Sequence, residues 1–217
     1  MIACDLTAER VGLPGGGSAL PYRWNGEDVL VRDDAETVLK CIALLGDGDG
    51  DKSGEFIPMF FADWREAYAA CDYDADDFGR LIEEAVWDVC GLDLRGDRPH
   101  EEPLWDPVED AAIIRTSLRA AYGIDWDELR GVISFAEFVA LVGGVPRDTP
   151  LGTAIHYRNP KTRPKPAKKG ANRGEIEEWD RLHRALALKG RSSRGAKEGT
   201  SDAAMRDAFA ALKRAAR

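Results

Sequence analysis

The residues best suited to chemistry are carboxylates at alternate positions. The run Asp47-Gly48-Asp49-Gly50-Asp51-Lys52-Ser53-Gly54-Glu55 has the form in which a calcium loop presents hard oxygen ligands. An EF-hand loop also needs glycine at its sixth position and a bidentate glutamate at its twelfth; here those places hold Lys52 and Pro58. The mismatch favours a flexible acidic loop, with calcium binding left open. A second group, Asp72, Asp74, Asp76 and Asp77 with Glu83 at the twelfth position, again lacks the glycine. Asp74 to Asp77 are better read as the start of a helix, where negative charge complements the dipole.

Other chemistry is harder to assemble. His100, His156 and His183 are too far apart to form an HExxH face, and there is no Gly-x-Ser-x-Gly elbow. Gly15-Gly16-Gly17-Ser18 precedes a strand and lacks the Lys-Ser/Thr that completes a phosphate loop, so it reads as a linker. Cys4, Cys41, Cys71 and Cys90 contain no CxxC pair, and three of them fall in apolar helical stretches. Reduced thiols buried as small hydrophobes are expected. The sequence therefore predicts no catalytic residue, no metal and no cofactor, and a protein that is not an enzyme.

Charge is divided along the chain. Residues 1–150 carry 13 Lys and Arg against 32 Asp and Glu, a balance of −19, whereas residues 151–217 carry 17 against 7, a balance of +10. Arg158, Lys161, Arg163, Lys165, Lys168, Lys169 and Arg173, then Arg181, Arg184, Lys189, Arg191, Arg194 and Lys197, suit phosphates electrostatically. Yet residues 159–173 contain no aromatic side chain for base stacking, and a body at −19 repels a polyanion. Nucleic-acid binding is the disfavoured alternative; docking of the tail on the chain's own acidic body or on an acidic partner is the other. No run approaches the ~20 apolar residues of a membrane span, and the N-terminus has no basic n-region or apolar h-region. A cytosolic protein without a membrane partner is expected.

The elements that must position these residues follow from periodicity. Residues 1–19 read as a flexible leader. Asn25-Gly26 between Leu20–Trp24 and Glu27–Val31 predicts a β-hairpin at 20–31, because both turn positions need positive φ. Val38, Cys41, Ile42 and Leu45 mark a helix ending at Gly46, and residues 46–54 a loop. One stripe runs through Phe61, Trp64, Ala67, Tyr68 and Cys71, and another through Phe78, Leu81, Ile82, Ala85, Val86 and Val89. Residues 92–105 form an irregular connection. Asp106, Pro107 and Glu109 then signal a helix closed by Gly123. Asp125 with Glu128, and Ser134 with Glu137, signal two short helices, and Thr149-Pro150 a third to about Tyr157. The Pro/Lys stretch 159–173 is an extended linker. Two tail helices follow within 174–217, one through Ile176, Trp179, Leu182 and Leu186, the other through Met205, Ala208, Phe209 and Leu212. The expected fold is mostly α: a helical body at 20–158 with the hairpin, the linker, and a basic, partly flexible tail.

The order of segments resembles a family. The hairpin YRWNGEDVLV, helix 34–45, the run LRAAYGIDWDELRGVISFAEFVALVGGV, the segment TPLGTAIHYRNP and the helix EIEEWDRLHRALAL together resemble small tailed-bacteriophage proteins. These are encoded between the tail-tube and tape-measure proteins and regarded as tail assembly chaperones. The likeness covers about residues 20–190 and is firmest over 106–158. It implies a role in the host cytoplasm: holding the tape-measure protein soluble and helping tail-tube subunits polymerise around it, with oligomerisation open. Aromatic ridges could cover a partner's amphipathic helices by helix-in-groove packing. The candidate partner-binding residues are Trp126, Phe135 and Phe138, with Arg158, Trp179, Arg181, His183 and Arg184 on and near the basic helix. Burial in the protein's own core is the favoured fate of at least half of them.

Overall fold

The structure, a computed structural model, describes residues 9–46, 52–96, 103–168 and 171–189. Cys4, the acidic run 47–51, His100 and the second tail helix lie outside the described residues. The expected mixture of many helices with a small N-terminal sheet is the fold found. The described residues pack as two units, one formed by 9–96 and 127–140, the other by 103–126 and 141–189.

The first unit begins with an antiparallel sheet in the order β1 (Val11–Gly12), β2 (Ser18–Trp24) and β3 (Glu27–Arg32). Asn25 and Gly26 turn the hairpin with φ of 49° and 94°, pairing Trp24 with Glu27 and Tyr22 with Val29. The sheet reaches further upstream than the hairpin alone. Gly15, Gly16 and Gly17, at φ of 94°, 100° and 82°, return the chain so that Val11 pairs with Ala19. Gly17 also packs tightly, since a Cβ there would fall 2.9 Å from Asp34 Oδ2. Beside it, Asp33 accepts hydrogen bonds from Arg10 Nε at 2.8 Å and Ser18 Oγ at 2.7 Å.

Val29 and Val31 of β3 are buried, and the outer edge of this strand is covered. Phe61 bridges to Val31, and the Ala62 amide donates to the Leu30 carbonyl at 2.9 Å, using groups that an open edge would expose. Helix α1 (Ala35–Gly46) is capped by Asp34, whose Oδ1 accepts the Thr37 amide at 2.9 Å. Helix α2 (Ser53–Phe60) occupies residues expected partly as loop. Pro58 disguised it, because an internal proline removes a helix hydrogen bond. Burial of Phe56, Ile57 and Phe60 outweighs that loss.

The single stripe expected from Phe61 to Cys71 is broken at its start. Phe61 leaves the helix for the strand edge, and Asp63 restarts a helix, α3 (Trp64–Ala69), by accepting the amides of Arg65 and Glu66. Helix α4 (Ala75–Cys90) runs as predicted from its N-cap Asp74 to left-handed Gly91. The core joins Phe56, Phe60, Phe61 and Phe78 through successive ring contacts of 5.1, 5.3 and 5.8 Å. Cys41, Cys71 and Cys90 are buried and unpaired, and burial pushes the Cys41 and Cys71 thiols up to about 12.

In the second unit, Asp106 caps a turn, accepting the amides of Val108 at 2.8 Å and Glu109 at 2.7 Å. The regular helix α5 (Ala111–Tyr122) nevertheless starts after Asp110, whose carboxylate is engaged elsewhere, as described below. Helices α6 (Trp126–Leu129) and α7 (Phe135–Gly143), most of whose residues belong to the first unit, start directly after Asp125 and Ser134, as predicted. Helix α8 (Pro150–Arg158) is capped by Thr149 Oγ1 on the Gly152 amide at 3.1 Å. It buries Leu151 and Ala154 and is tied to α5 by the Leu151 amide, which donates to buried Ser117 Oγ at 2.9 Å. Gly152 is required by contact: a Cβ would stand 2.1 Å from the Pro146 carbonyl oxygen. The linker expected to be extended starts with a 3-10 turn at Pro160–Thr162, capped by Asn159. Helix α9 (Arg173–Leu186) follows.

Candidate partner-binding site

The residues singled out for partner binding separate into two groups. Phe135 and Phe138 belong to the core of the first unit, 3% and 1% exposed. The reciprocal capping box places them there: Ser134 Oγ accepts the Glu137 amide at 3.1 Å while Glu137 Oε2 accepts the Ser134 amide at 2.9 Å. These bonds from the Ser134 backbone and side chain hold the Glu137 carboxyl below its ordinary range. The Phe135 amide donates to the Asp33 carbonyl at 2.7 Å, fixing the start of α7 to the end of β3. Trp126 is half-buried at the start of α6.

In the second unit, α9 lies on α8. Its centre is Trp179, 5% exposed, whose Nε1 donates to Thr162 Oγ1 at 3.3 Å. The indole stands 6.4 Å from the Tyr157 ring and stacks on His183 at 4.8 Å and 13°. His183 Nδ1 lies 2.7 Å from the Tyr157 carbonyl; a carbonyl only accepts, so that nitrogen carries the proton. Arg158 fixes the far end. It is not a surface cation, because its side chain is 10% exposed and reaches both oxygens of Asp110, at 2.9 and 2.5 Å. The same guanidinium donates to the Leu104 carbonyl at 3.1 Å and to the Leu186 carbonyl, in the last residue of α9, at 2.7 Å. Residues 104–110 and the end of α9 thus meet on one planar donor fork from α8, the geometry for which arginine is suited.

Cations on and before this helix are also engaged. Arg181 pairs with Glu178 at 2.6 Å, Arg184 Nε donates to the Asp180 carbonyl at 3.1 Å, and Arg163 grips the Asp180 carboxylate at 2.7 and 2.8 Å. The helix is not basic in itself: Arg173, Arg181 and Arg184 face Glu175, Glu177, Glu178 and Asp180 within 173–186. Apart from Arg173 at its first position, the acidic residues precede the cations, the order that complements the helix dipole. Positive charge is concentrated in the segments flanking α9.

Spacing did not reveal the exposed apolar residues. Tyr73 is 65% and Val132 66% exposed. Tyr73 follows Asp72 in a left-handed pair, φ 52° and 58°, and meets Tyr68 edge to face at 5.5 Å. No period marks an isolated aromatic in a turn. Among the described residues, no cluster of three or more His, Cys, Asp and Glu is arranged to hold a metal, and no helix is long and apolar enough to cross a membrane.

Comparison with known proteins gives one family. The family described as Bacteriophage Gp15 protein matches residues 22–184, which takes in most of the described chain. No curated protein and no solved structure matches.

Proposed function

We propose that this chain, which belongs to the Bacteriophage Gp15 protein family, is a non-enzymatic tail assembly chaperone. It acts in the host cytoplasm, keeping the tape-measure protein soluble and assisting polymerisation of the tail-tube protein. The observation that carries this reading is the family match over residues 22–184. It coincides with the segment order by which the chain resembles proteins encoded between the tail-tube and tape-measure genes. The −19 balance of residues 1–150 gives such a factor the charge needed to keep an apolar client in solution.

The burial of Phe135, Phe138 and Trp179 changes how the client would be held. Those rings support the two units, so client contact falls to exposed side chains such as Tyr73 and Val132, or to surfaces uncovered on binding. Co-expression with the tape-measure protein of the same phage tests the reading. Its soluble yield should rise and the two should co-purify; unchanged yield without co-purification would refute it. A purified chain that binds oligonucleotides with steep salt dependence, and loses binding on removal of residues 159–217, would favour the nucleic-acid alternative instead.

A further inference from the structure

We infer that α9 is a resident stand-in for a client helix, and that the seat it occupies on α8 is a docking site for an amphipathic partner helix of matching chemistry. This rests on the chaperone reading for the identity of the partner, but the seat itself is defined by the second unit alone.

The seat reads three features. Tyr157 and Thr162 receive an aromatic side chain that carries an N–H, filled by Trp179 through the 3.3 Å bond to Thr162 Oγ1. Arg163 receives a carboxylate one residue later, filled by Asp180 with two bonds of 2.7 and 2.8 Å. Arg158, already charge-neutralised by Asp110, receives the helix's C-terminal carbonyl, filled by Leu186 at 2.7 Å. A helix ends with carbonyls that lack intrahelical partners, so this last contact depends on where a helix stops and not on its side chains. The matching guest is therefore an amphipathic helix with an aromatic residue, a carboxylate directly after it, and an end seven residues beyond the aromatic, as from Trp179 to Leu186.

The resident's hold is the kind that exchanges. Trp179 is its one buried side chain, and the His183 bond to the Tyr157 carbonyl lies beside it. Its ion pairs Arg173–Glu177 and Arg181–Glu178 lie within the helix and leave with it, contributing nothing to the seat. Arg163–Asp180 is an exposed pair, a class that adds little net attraction in water. Residues 164–172 join the seat to α9, a chain length that can reach on the order of 30 Å when extended, so release does not require the helix to leave the protein. A seat occupied by a tethered helix binds an external one with an affinity reduced by the fraction of time it is open. Weakening the resident should reveal the site.

The test uses the full chain and a fluorescent synthetic peptide with the sequence of residues 172–189. Trp179→Ala in the protein should bind the peptide at least about tenfold more tightly than the wild type, because the open fraction rises. The same peptide carrying alanine in place of its tryptophan should not bind. Equal affinity of the two proteins, with α5 and α8 still protected from hydrogen exchange, would overturn the inference. A second measurement covers the case in which Trp179→Ala loses its fold. In the wild type, amides of 176–186 should exchange faster than those of α8, by sub-global opening. Equal protection of α8 and α9 would equally overturn it. Failure of peptide exchange alongside retained co-purification with the tape-measure protein rejects the seat and leaves the chaperone reading standing.

Discussion

The two units solve the problem of a buried carboxylate differently. In the first, Asp33 and Asp34 are nearly inaccessible, and their partners are hydroxyl, guanidinium and amide donors on adjoining turns: Ser18, Arg10 and Thr37. Around them lies a continuous aromatic core from Phe56 to Phe78. In the second, buried Asp110 accepts the local Asp106 amide at 2.9 Å but finds its cation in Arg158, 48 residues away, and the buried apolar residues of this unit are mostly aliphatic: Ile114, Leu118, Val142, Val145, Leu151 and Ala154, with Trp179. One unit is held mainly by excluded apolar surface, the other by a polar clamp with a helix laid over it. The first should yield to cavities and the second to lost charge pairing.

The largest effect expected is in the aromatic core. Phe60→Ala removes a fully buried ring that touches both Phe56 and Phe61, and should cost about 4 kcal/mol, read by urea unfolding and independent of salt. Arg158→Ala comes next, at about 3 kcal/mol, because it leaves the Asp110 charge buried without its cation, held only by the Asp106 amide. Its comparison is the double variant Arg158→Met with Asp110→Leu, which should recover most of the loss. If the double variant is as unstable as Arg158→Ala, the clamp acts through its bonds to Leu104 and Leu186 and not through charge neutralisation.

Helix capping should matter less. Asp74→Ala deletes the acceptor for the Asp76 and Asp77 amides and should cost about 1 kcal/mol, with faster hydrogen exchange in the first turn of α4.

Acidity should then separate the units by pH. Desolvation, and after it the charge of Arg147, lowers the His156 pKa below 6.5, so the second unit folds preferentially with neutral His156. Its contribution is present above the unfolded pKa and is lost as pH falls below 6.5 through the folded value. Glu137 in the first unit is lowered from 4.5 by its Ser134 bonds, so its contribution persists through that range and is lost only as pH falls below 4.5. Hydrogen exchange at pH 7.5 and 5.5 should show α8 loosening while α7 near Phe138 stays protected. The smallest effect is expected for Arg181→Ala, with the urea midpoint essentially unchanged, because its partner Glu178 is an exposed neighbour on the same helix.

Much of the fold was legible because its signals are local. The Asn25-Gly26 turn, the caps Asp74, Ser134 and Thr149, and the stop at Gly91 each depend on residues within about one helical turn of one another, and each was readable from spacing. Helix α2 was not, because Pro58 signals a break locally and only tertiary burial of Phe56, Ile57 and Phe60 overrides it. Of the candidate site residues, the sequence named Trp179 and favoured burial for at least half of the set, but it gave Arg158 only an outward role. Periodicity identifies an apolar or cationic face without saying what covers it.

What the sequence by itself determined is therefore the class of fold, most helix boundaries, and a charge layout of −19 followed by +10. The tertiary structure decided which of those residues face a partner. It placed Phe135 and Phe138 in one core and Trp179 under one helix, and it turned Arg158 from a phosphate-binding candidate into the clamp that joins Leu104, Asp110 and Leu186. The reason is range. Caps and turns are encoded by neighbours along the chain, whereas burial and ion pairing are set by segments that meet only when the chain has folded.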